Sequence, residues 1–83
     1  MVKLLNKKIH FGSNDSLYLK GIITDIKYYK DITEITMSLY IHGVLDEGHY
    51  ITLNKKQIHT LLINKEISYI ADDNAHIYIK VLK

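Results

Sequence analysis

The chain is predicted to fold as a mainly β domain, α+β by strict count, with about six strands and one short helix in the order β-β-β-β-α-β-β. Three observations lead there. Ile35, Met37, Leu39 and Ile41 alternate with Thr36, Ser38, Tyr40 and His42, the period of a strand with one buried face. After Asn54 the apolar spacing becomes helical, because Ile58, Leu61 and Leu62 recur at i, i+3 and i+4. Turn formers cluster at residues 12–16, 46–49 and 72–74, so the β-rich runs between them are joined at hairpin distance. Such connections favour a mostly antiparallel sheet, strongly twisted or curled towards a small barrel.

Each element follows from local chemistry. Val2 and Leu4 alternate with Lys3, and after a change of phase Ile9 and Phe11 alternate with His10, which predicts one strand bent or bulged near residues 5–8. Gly12, Ser13, Asn14, Asp15 and Ser16 are expected to close the first hairpin. Residues 17–29 are apolar on both alternating sets, with Leu17, Leu19 and Ile23 on one side and Tyr18, Ile22, Ile26 and Tyr28 on the other. A strand of that kind is central or changes face midway, and Gly21 is the expected bend. Lys30 and Asp31 read as a turn, Asp46 to His49 as the next loop, and Tyr50 to Leu53 as a short strand.

The helix is predicted over about residues 55–63. Asn54 serves as N-cap, Gln57 completes a capping box, and Asn64 ends the helix in the left-handed conformation. Ten or so residues do not hold a helix in water, so it must dock on the strands. A hairpin follows, from residues 67–71 and 75–82 around Asp72, Asp73 and Asn74, with Ala75, Ile77, Ile79 and Val81 sharing one face.

Composition narrows the class. Eighty-three residues make a single domain, 1–83, which buries only about 60 to 65% of its unfolded surface. Without cysteine neither disulfides nor thiolate metal sites can supplement that core, so self-association is expected. The first eleven residues lack an apolar signal core and no run of about 18 apolar residues occurs, which reads as a cytoplasmic protein without a membrane partner. The net charge of +2 rests on lysine alone, and without the arginine fork a sequence-specific DNA reader is disfavoured. Abundant Ile, Lys, Asn and Tyr with no Arg, Pro or Trp reflect AT-rich coding, as in a low-GC bacterium, its phages or its mobile elements.

No spacing in the chain carries catalysis. His10, His42, His49, His59 and His76 form no H-x-H or H-x-x-x-H pair, the glycines are isolated, and the acidic pairs fall in turns. His42 and His49 could approach each other across their loop, but surface histidines are the commoner case. A non-enzyme without metal or cofactor is therefore expected. One pattern stands out. On the faces directed away from the core, rings and cations recur two apart, as Tyr18-x-Lys20, Tyr40-x-His42 and His76-x-Tyr78-x-Lys80.

If those strands were neighbours, their outer faces would form a platform with rings to stack on and charge beside them, which suits a base and its phosphate. The plainer reading is that Tyr is a good strand former and Lys snorkels on a solvated face. A third is a protein interface, where Tyr is enriched. The expected function is a small, oligomeric binding protein of phage or mobile-element type that blocks or sequesters a host component, such as a defence factor, by binding a protein or a nucleotide-like ligand. The alternatives are a non-specific nucleic-acid-binding small barrel and a structural subunit of an assembly.

Overall fold

The computed structural model describes residues 4–13 and 18–82. Its elements are β1 (Lys8–Ser13), β2 (Leu19–Tyr28), β3 (Ile32–Ile41), β4 (Val44–Asn54), α1 (Lys55–Asn64), β5 (Glu66–Ile70) and β6 (His76–Val81). The predicted order is found. All six strands join one antiparallel sheet in the order β4-β3-β2-β1-β6-β5, which stays open, with β4 and β5 as its edges. The sheet therefore curls without closing into a barrel.

One face of this sheet and the helix enclose the core. Ile9, Ile23, Ile35, Met37, Leu53, Leu61 and Ile79 are fully buried and belong to one cluster. Their positions alternate along each strand, so the burial follows the predicted period. Leu61 is the buried anchor of α1, which links the two edge strands and packs on β3, β4 and β5. Both halves of its capping box form: Gln57 N–H donates to Asn54 Oδ1 at 2.8 Å, and Asn54 N–H donates to Gln57 Oε1 at 2.8 Å. The helix ends one residue later than expected. Lys65, at φ 63, is the left-handed cap, and its N–H donates to the Leu61 carbonyl.

Two irregularities correct the predicted phase. On β2 the change of face occurs at Thr24, where an extra residue separates the Ile23–Met37 and Asp25–Thr36 pairs, while Gly21 stays in register opposite Ile9 and Leu39. That bulge returns Ile26 to the core side, opposite Ile35, which explains why both alternating sets of the sequence are apolar. On β4 the predicted loop at residues 46–49 is strand. The chain reverses earlier, at His42 and Gly43, whose φ values of 53 and 79 suit a two-residue type I′ turn. Gly48, at φ 85, supplies the left-handed residue of a bulge between the Met37–His49 and Leu39–Asp46 pairs.

The remaining boundaries move little. Asn6, at φ 66, makes the bend expected near residues 5–8. Gly12 and Ser13 belong to β1 rather than to the first turn, and the rest of that turn (residues 14–16) lies outside the described residues, as do the predicted strand start at Leu17 and the predicted alternation of Val2 with Lys3. A turn at residues 72–74 joins β5 to β6; Ala75 N–H donates to Asp73 Oδ1 there, as the local chemistry of Asp predicts.

Candidate binding face on the outer side of the sheet

The face turned away from α1 carries the predicted rings and cations. β2 and β3 are neighbours, whereas β6 is separated from β2 by β1, so the three tyrosine strands do not form the contiguous trio that the platform required. Gly12 of β1 closes that gap. It pairs with Tyr78, and continuing the β1–β2 register by one residue from Phe11–Leu19 sets Tyr18 on its other side. With no side chain at Gly12, the Tyr18 ring lies over the β1 backbone and stacks on Tyr78, with centroids 4.8 Å apart and planes at 27°. A Cβ at residue 12 would stand 2.7 Å from Tyr18 Cδ1.

A row of basic side chains runs beside the stack. His10 pairs with Lys20 on one side and Lys80 on the other, so three basic side chains from β2, β1 and β6 stand abreast on the outer face. Strand spacing sets neighbours in such a row about 4.8 Å apart. At one end, Glu66 lies opposite Lys80 and accepts a 2.9 Å hydrogen bond from the Tyr78 hydroxyl. Partial burial first, then that carboxylate, raises the Tyr78 phenol above its ordinary value, which keeps it a neutral donor. At the other end, extending the Gly21–Leu39 pair by one residue brings Tyr40 beside Lys20, and Tyr40 in turn faces Leu45 of β4.

Exposure separates these residues by role. Tyr18 is 62% and Tyr40 50% exposed, so each leaves ring surface to solvent, whereas Tyr78 is half-buried beneath the stack. Lys20 and Lys80 are exposed. Two predicted members stand apart. His42 sits in the type I′ turn rather than on a strand face, and exposed His76 opens β6 opposite Ile70, two pairs beyond the stack. His10 and Gly12 complete the site and were not singled out by the sequence. Alternation directed His10 outward, but nothing in it indicated which strands would flank β1.

His49 does not approach His42 but pairs with Asp46, Nε2 to Oδ2 at 2.7 Å, across the Gly48 bulge. Among the described residues no group of three or more His, Cys, Asp or Glu is placed to hold a metal ion, and no helix is long and apolar enough to cross a membrane. Comparison with known proteins found no matching family, no similar curated sequence and no similar solved structure.

Proposed function

We propose that this protein is a non-enzymatic binding protein that captures a nucleotide-like ligand on its outer sheet face. The observation that carries the reading is the Tyr18–Tyr78 stack across Gly12, flanked by Lys20, His10 and Lys80. A base continues the stack on the open side of Tyr18, as a third ring, and its phosphate meets the lysines one row away. Ring and charge act together: stacking contributes about 1 to 3 kcal/mol per base, and the cations supply the attraction that stacking lacks. Capture of this kind withholds the ligand from another component, which is how a small phage-type or mobile-element protein blocks a host pathway.

The test is a titration with adenosine triphosphate and with a short oligothymidylate, followed by tyrosine ring resonances in NMR at low and moderate salt. The expected result is a shift of the Tyr18 and Tyr78 rings with the nucleotide, lost in Tyr18→Ala. An affinity that collapses with salt only for the oligomer would favour the single-strand-binding alternative. Unmoved rings at millimolar concentrations of both probes would overturn the reading.

A second reading rests on β4. Val44, Leu45 and Tyr50 are 67%, 42% and 65% exposed on an edge strand, an arrangement that suits self-association. Light scattering across a concentration series separates the two, since a dimer through β4 leaves the Tyr18 ring unperturbed.

A further inference from the structure

The structure points to a second binding site, on the opposite side of the molecule. A groove of about 720 Å³ lies where the sheet fails to close. It is lined by residues 50–54 of edge strand β4 and residues 69–71 at the end of edge strand β5, by Ser13, Ile32 and Ile77 of the inner strands, and by Gln57 of α1 and the β5–β6 turn. Side chains alone would line a groove at every second residue of a strand. Here five consecutive residues of β4 line it, so the wall is the strand's edge and presents main-chain N–H and C=O groups.

We propose that this groove takes an extended, basic peptide segment of another protein, which adds to the β4 edge as a further strand. Three features select that occupant. The edges of β4 and β5, which pair with no further strand among the described residues, supply the backbone hydrogen bonds of strand addition. Asn54 and Gln57, the two residues of the helix start that line the groove, have their N–H groups taken up by each other's side chains, so neither offers that donor to an anion. Its only charged lining residues are Asp72 and Asp73, in a chain with eleven lysines, and Asp72 is exposed without a partner among the described residues. A lysine on the guest strand meets those carboxylates. Half-buried Tyr69 and exposed Ile70 flank the guest's alternate apolar side chains.

The probe is a peptide of sequence Lys-Val-Thr-Val-Thr with blocked ends, titrated into isotope-labelled protein. The expected result is amide shifts and slowed hydrogen exchange confined to residues 50–53 and 69–71, with affinity falling about tenfold when alternate guest amides are N-methylated, as loss of backbone pairing requires. Asp72→Asn should weaken binding a few-fold and reduce its salt dependence. Three outcomes would each overturn the proposal: no binding, equal binding of the methylated peptide, or shifts on the Tyr18 face. Protection of the same amides that grows with protein concentration in the absence of peptide also overturns it, because a second copy is then the occupant.

Discussion

Tyr18 stacks on Tyr78 at 4.8 Å although their strands are never hydrogen-bonded to each other. The contact exists because residue 12 of the strand between them is glycine. One missing Cβ thus determines whether two rings form a platform or stand as separate surface groups.

Gly12→Ala is expected to keep the fold and lose the platform. The new Cβ, 2.7 Å from Tyr18 Cδ1, displaces an exposed ring that is free to swing into solvent. Stability should change by no more than about 1 kcal/mol, since the lost stack of about 0.5 to 1.5 kcal/mol is partly offset by removal of a strand glycine. Near-ultraviolet circular dichroism should lose the coupled tyrosine signal, and nucleotide titration should lose its ring shifts. An unchanged spectrum would show that the stack does not depend on Gly12.

Leu61→Ala tests whether α1 is held by the core. Leu61 is fully buried, the anchor of a helix that spans both sheet edges. Truncation should destabilise by roughly 2 to 4 kcal/mol in urea unfolding, the cost of lost burial plus a cavity. Wild-type stability would mean that the helix detaches without consequence for the sheet.

Asn54→Ala removes the side-chain oxygen that accepts from the Gln57 N–H, while the backbone N–H of residue 54 can still donate to Gln57 Oε1. A loss of about 1 kcal/mol is expected. Helicity by far-ultraviolet circular dichroism should fall with it, and an effect on stability without one on helicity would place the role of Asn54 in β4 instead.

Tyr69 makes the fold sensitive to alkaline pH. Burial pushes its phenol from 10.0 up to about 12, so the folded protein holds this proton more tightly than the unfolded chain does. The stabilisation is therefore fully present below pH 10 and is lost as pH rises from there through about 12. Urea midpoints measured between pH 9 and 12 should fall more steeply for the wild type than for Tyr69→Phe. Parallel curves would show that the phenol is solvated in the folded state.

Local chemistry made much of this fold legible in advance. The alternation of Ile35 to Ile41 assigned the buried face of β3, and Asn54 with Gln57 assigned the start of α1. Residues 46–49 misled because Asp, Gly and His favour both turns and bulges; pairing with β3 decided for the bulge, which only the position of the partner strand could reveal. The same applies to Thr24, whose role depends on Thr36 and Met37 across the sheet.

The sequence by itself determined the number and order of the elements, the inward set of apolar residues, and the outward direction of Tyr18, Tyr40 and Tyr78, since these depend on period and capping within one segment. Only the tertiary structure decided that β1 lies between β2 and β6, bringing Gly12, His10, Lys20 and Lys80 into one site, and that two open edges face one groove. The physical reason is that strand pairing is a long-range choice. Backbone hydrogen bonds are alike for every neighbour, so which strands meet depends on how the whole core packs.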